Sequence, residues 1–100
     1  MMNNTESSLN KLGELRSTIL SLNKDIYIDC EKINEIGILM SYGTHPVLDK
    51  DFASLQASIM RLKEVLVLRL GEYFQEEAKF GNLRDFQFRR LYKSIKDLRF

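Results

Sequence analysis

Among its 100 residues the chain has one cysteine, one proline, one histidine and no tryptophan, and each scarcity closes off a class of protein. With Cys30 alone, no internal disulfide can form and no cysteine pair exists to bind zinc. The sequence therefore predicts a reduced, cytoplasmic setting, which is the host cytoplasm if the protein is viral. One proline and five glycines give too little punctuation for the tight turns of a sandwich or barrel, which leaves helix as the predicted state. No apolar run approaches the roughly 20 residues that cross a bilayer, because Val65-Leu66-Val67-Leu68 is closed by Arg69. No membrane partner is predicted, and the polar start Met-Met-Asn-Asn-Thr-Glu-Ser-Ser lacks the apolar core of a secretory signal.

Catalytic chemistry is equally thin. His45 stands in a Gly/Pro loop with no nucleophile nearby in sequence, and reads as a surface loop residue before it reads as a general base or metal ligand. Glu76 and Glu77 fall at the polar end of a helix and read as a solvated face. Asp25 and Asp29 could in principle hold a cation, but a cap and a turn account for them. No Gly-rich phosphate loop and no Ser/His/Asp set at motif spacing occurs. The expectation is a non-enzyme with no cofactor and no metal.

What the chain does have is 44% hydrophobic and 29% charged residues, the balance of a globular domain. A single domain over residues 1–100 is predicted, with 1–8 as a flexible N-terminus and a core that buries only about two thirds of the unfolded surface. The predicted class is mainly α, about four helices with one short extended segment. Thr5 to Ser8 offer cap oxygens before Leu9, Leu12, Leu15, Ile19 and Leu22, which recur at helical spacing around a weakening Gly13. Asp25-Ile26-Tyr27-Ile28-Asp29 then reads as an extended connector or short strand, and Asp29 as the cap of a short second helix bearing Ile33, Ile36 and Met40. Gly43 and Pro46 stop it. Asp49 or Asp51 opens the longest element, in which Phe52, Leu55, Ile59, Leu62, Leu66, Arg69 and Tyr73 follow a heptad seam, widened by Val65, Leu68 and Leu70. After Gly81-Asn82 a last helix carries an apolar stripe, Phe88, Leu91, Ile95 and Leu98, and a basic stripe, Arg89, Lys93, Lys96 and Arg99.

Two functional expectations follow from these elements. The seam residues Phe52, Leu55, Ile59, Leu62, Leu66 and Tyr73 serve either as intramolecular core or as a homo-oligomer interface, and the length of apolar surface favours self-association. The net charge of +1 conceals segregation: residues 1–24 sum to +1, residues 25–78 to −5 and residues 79–100 to +5. Basic residues Arg89, Arg90, Lys93, Lys96 and Arg99, with Phe86, Tyr92 and Phe100 as stacking faces, suit single-stranded nucleic acid. A solvated amphipathic helix, a membrane-surface helix and docking on an acidic region of another copy remain open readings of the same residues.

Two stretches also resemble a known family. Leu22-Asn23-Lys24-Asp25-Ile26-Tyr27-Ile28-Asp29, followed by Lys32 and Ile33, is similar to the start of the T-even phage recombination mediator family, UvsY. Leu66-Val67-Leu68-Arg69-Leu70 with Tyr73 resembles that family's LKARL segment and its following tyrosine, with Val67 where the family has lysine. With the intervening helix the likeness covers about half of the chain. It implies a non-enzymatic, oligomeric protein that binds single-stranded DNA and helps load a recombinase onto strands covered by single-strand-binding protein. Arg69 would then be a DNA contact. The runner-up expectation is a small helical protein-interaction module, an inhibitor or adaptor of phage type, without nucleic-acid binding.

Overall fold

The computed structural model describes residues 4–43, 46–80 and 85–98, with side chains from residue 7 and, in the second helix, from residue 48. Three α-helices account for nearly all of them: α1, Asn4–Met40; α2, Pro46–Glu77; and α3, Phe86–Lys96, with a single 3-10 turn, Ala78–Phe80, after α2. The mainly α expectation holds. The expected extended segment does not, since residues 25–29 lie inside α1 and no strand occurs among the described residues. The two short helices expected there are one helix, and the count falls from four to three.

The reason lies in the apolar period. Leu12, Leu15, Ile19, Leu22, Ile26, Asp29, Ile33, Ile36 and Met40 continue one 3-4 alternation through the supposed break, with a single acid standing in it. Burying Ile26 against α2 outweighs the modest β-preference of Ile26, Tyr27 and Ile28. Asp29 is accommodated because Ser58 of α2 donates its hydroxyl to Oδ2 at 3.0 Å. α1 ends where the backbone bonds shorten to Tyr42 N–Leu39 O and Gly43 N–Met40 O, and where Gly43 takes φ 150°, a conformation that only glycine adopts without strain. Pro46, expected only to interrupt structure, is instead the first residue of α2, a position where its missing N–H costs nothing. Asp49 therefore lies in the first turn rather than before it. His45 and Gly81-Asn82 lie outside the described residues.

α1 and α2 pack as a long antiparallel hairpin. Lys11 meets Glu76, and eighteen residues further along α1, Asp29 meets Ser58, eighteen residues back along α2. At about 1.5 Å per residue α1 alone is about 55 Å long, and the molecule measures 61 × 24 × 15 Å. Leu12, Leu15, Ile19, Ile26 and Ile33 of α1 are buried against Ile59, Leu66, Leu70 and Tyr73 of α2. Thus Ile59, Leu66 and Tyr73, expected as an oligomer interface, are buried in the chain's own core, and Phe52, Leu55 and Leu62 pack half-buried on it. The heptad that could have bound another copy is matched by the longer heptad of α1. Of the residues that widen it, Leu70 is buried while Val65 and Leu68 face outward.

α3 folds back along the open end of the hairpin and buries Phe88 and Ile95, with Leu91, Tyr92 and Leu98 half-covered, as its stripe predicts. Lys63 of α2 donates to the carbonyl of Leu98 at 2.8 Å, so α3 ends about halfway along the hairpin, with a cation at the negative end of its dipole. No helix among the described residues is long and apolar enough to cross a membrane.

Leu66→Ala is expected to cost about 3 kcal/mol through an internal cavity, and Leu68→Ala less than about 0.5 kcal/mol, by urea unfolding. Equal losses at the two positions would mean that the seam is not closed within the chain.

Candidate nucleic-acid interface and its polar anchor

Asp85 starts α3. Its Oδ1 accepts the N–H of Phe88 at 3.1 Å, the bond that a helix cap supplies to an otherwise unpaired donor. The same residue ties α3 to both other helices. Oδ2 takes Arg16 Nη1 of α1 at 2.9 Å and the Tyr73 hydroxyl of α2 at 3.4 Å, and its backbone N–H donates to Glu77 Oε2 at 2.7 Å. Arg89, one turn into α3, closes on Glu77 Oε1 at 2.7 Å while its guanidinium lies 4.8 Å from the centre of the Phe74 ring. Arg16 lies likewise over Phe88 at 5.2 Å.

Glu77 sits at the middle of this junction with 1% of its surface exposed. A carboxylate so buried is stable only when its oxygens are paired, and here an N–H and a guanidinium take one each. Its neighbour Glu76 is buried under two lysines, Lys11 Nζ at 3.0 Å and Lys79 Nζ at 3.1 Å. Lys79 is aligned as a hydrogen-bond donor only to Oε1, so Oε2 is held by charge alone. The hydrogen bond from Lys11, then that from Lys79, holds the Glu76 carboxyl below its ordinary value of 4.5 against the opposing effect of burial. Neither glutamate belongs to a solvated face, as the sequence suggested. Helical position alone cannot reveal it, because the cations that bury them come from α1, α3 and the 3-10 turn.

Aromatic rings complete the junction. Tyr73 meets Phe88 edge-on at 4.8 Å, and Phe74 meets Tyr73 at 6.3 Å and Tyr92 at 5.8 Å. Burial, then the Asp85 carboxylate, pushes the Tyr73 hydroxyl above its usual range, so it remains a protonated donor.

The structure sorts the seven expected nucleic-acid contacts. Arg89 is committed to Glu77 and Phe74. Arg69, placed in the seam, turns to Glu72, with Nη1 2.8 Å from Oε1 and 2.9 Å from Oε2. Its charge is thereby satisfied one turn along its own helix. Tyr92 is half-buried against Phe74, and its ring carries Lys96 Nζ at 5.6 Å. Arg90 and Lys93 are exposed, and Arg99 lies outside the described residues. Arg90, Lys93 and Phe86, which is 67% exposed, follow one another at four- and three-residue spacing along the outer face of α3. By residue type Phe86 is expected as a stacking face, and the structure places it in this line.

Little in the described residues resembles an active site. The clefts among them are open-sided, either grooves between helices, such as the one bordered by Lys32, Glu35, Ile36, Asp51 and Leu55, or a shallow surface of α1 alone. No group of three or more His, Cys, Asp or Glu side chains among them could hold a metal ion. Burial, with Asp29 beside it, raises the Cys30 thiol, which weakens it as a nucleophile. Comparison with known proteins finds no match: no family model fits the chain, and no curated protein or solved structure matches it.

Glu77→Ala should cost about 2–3 kcal/mol in urea unfolding, the low end for a broken buried pair because Arg89 can turn to water. Arg69→Ala should change stability by less than about 0.5 kcal/mol. For Glu76 the lowered pKa means that its stabilisation is complete well above pH 4.5 and fades as pH falls through the depressed folded value. Wild type should therefore lose stability faster than Glu76→Gln on acidification below pH 4.5. Parallel acid limbs would refute the pairing.

Proposed function

We propose that this chain is a non-enzymatic, oligomeric single-stranded DNA-binding accessory protein of the kind that assists recombinase loading. The observation that carries the reading is the outer face of α3, where Phe86, Arg90 and Lys93 stand exposed in one line and Lys96 lies beside them on Tyr92. Cations at that spacing neutralise successive phosphates, and an exposed aromatic ring offers a face to an unpaired base. The contact set is narrower than the sequence suggested, since Arg69 and Arg89 have acidic partners within the fold. The recombination role rests on the resemblance of residues 22–33 and 66–73 to the mediator family. A recombinase and a single-strand-binding protein are the further partners it implies.

A second reading, a helical protein-interaction module indifferent to nucleic acid, is favoured by one feature. Leu9, Leu20, Tyr27 and Ile38 form an exposed apolar line on α1.

A labelled single-stranded oligonucleotide distinguishes them by fluorescence anisotropy. Three phosphate contacts give a log–log salt slope of about −2, so affinity should fall about 20-fold between 50 and 200 mM salt. The double variant Arg90→Glu with Lys93→Glu should abolish binding while leaving helicity intact, and Arg69→Ala should bind as wild type does. Absence of any anisotropy change at low salt would leave the interaction-module reading standing instead.

A further inference from the structure

α3 fills only part of the groove along the hairpin. It begins beside Arg16, through Asp85, and ends at the level of Lys63, so it covers the open end and leaves the turn end bare. Apolar side chains run into the bare part. Leu9, Leu20, Tyr27 and Ile38 are spaced by eleven, seven and eleven residues, which at about 100° per residue keeps them within about 20° of one line. That line lies on the side of α1 to which α3 packs, since Leu20 and Asn23 border a groove with Phe88, Arg90 and Leu91. Beyond α3 it continues with Tyr27, 63% exposed, and Ile38, 60% exposed, and Met60 of α2 is also uncovered. The unfilled groove is thus the continuation of an interface that a helix already occupies.

Charge indicates the occupant. Residues 25–60 carry six acids, among them Glu31, Glu35 and Asp49, against two bases, so two turn ends brought together would repel. The outer face of α3 offers the opposite sign, with Arg90, Lys93 and an apolar Phe86. Length agrees as well: from Tyr27 to Met40 the groove runs about 20 Å, and α3, with 11 residues, is about 17 Å long.

We propose that the turn-end half of the α1–α2 groove receives the outer face of α3 from a second copy, and that the exchange is mutual about a two-fold axis near Tyr27. Each α3 then lies between its own hairpin and that of the other copy, a closed, self-complementary contact. The register fits the chemistry. Arg16, beside the start of α3, is eleven residues before Tyr27, and Ile38 is eleven residues after it. The axis therefore carries Phe86 of one copy to Ile38 of the other, and Arg90 and Lys93 to the neighbourhood of Glu31. The inference deepens the self-association in the proposed function and rests on that part of it alone. Nucleic-acid binding is not required, and because the two uses share Arg90 and Lys93 the pair is the form of the protein off DNA, which a single strand must dissociate before α3 can take it up.

Light scattering and sedimentation of the full chain without oligonucleotide test this interface. The wild-type mass should rise with concentration from 11.7 kDa to twice that value. Ile38→Asp, a change at an exposed position, should keep the mass at 11.7 kDa with helicity unchanged. Glu31→Lys should dissociate the pair, as should Arg90→Glu with Lys93→Glu, and mixing these two variants should restore the doubled mass. A wild-type mass of 11.7 kDa at every concentration would overturn both the interface and the oligomer, leaving DNA binding untouched. A doubled mass that persists in Ile38→Asp and in both charge variants would keep the oligomer and overturn this interface.

Discussion

The buried carboxylate of Glu77 is the constraint around which the three helices are arranged. It terminates α2, receives the N–H of the residue that caps α3, and is matched by Arg89 one turn later. Because an unpaired charge at that depth would cost several kcal/mol, the position of α3 is fixed by electrostatics as well as by the packing of Phe88 and Ile95. The same requirement ties Arg89 to an acid within the fold although it belongs to the basic stripe. One arginine anchors the helix, and its neighbours Arg90 and Lys93 are left on the outside.

This division gives the molecule its polarity. The acidic surplus of residues 25–78 is spread along the hairpin, and the bases of α3 are gathered at one end of it. A phosphate backbone approaching the hairpin would be repelled along much of its length and attracted at α3, which favours a local contact over a wrapped one. The apolar line on α1 has no such counterpart within the chain. Its presence beside an acidic surface is what makes a cationic, partly apolar helix a better match than lipid or bare hydrocarbon.

Much of the helical architecture was legible in the residues, and the failures are informative. The α2 seam and both stripes of α3 could be read from 3-4 spacing because each helix has one dominant direction of burial. α1 could not be read as one helix because Ile26, Tyr27 and Ile28 resemble a strand locally, and the acid at position 29 hides the period that runs through it. Only the partner helix, with Ser58 opposite, shows that Asp29 is tolerated in the seam. Spacing did not show that Arg89 pairs with Glu77 or that Glu76 and Glu77 are buried, although Arg69 and Glu72 stand three residues apart on one helix and their pair could have been read from it. Ion pairs such as Arg16 with Asp85 join residues far apart in the chain, and spacing along one helix carries no trace of them. Phe86, Arg90 and Lys93 were visible as residue types, but the separation of free from committed cations required the tertiary structure.

The hairpin also bears on how the chain reaches its fold. Most of its contacts join neighbours along α1 and α2, and such local topologies assemble within microseconds to milliseconds, before a segment such as α3 has a surface to settle on. α3 touches the rest through one apolar face and the ties at Asp85, Glu77 and Lys63, a far smaller contact than the one that joins α1 to α2, so it is the element expected to open first. Backbone amides of a helix held by so small a contact are expected to exchange with solvent ahead of those of Ile19 or Leu66.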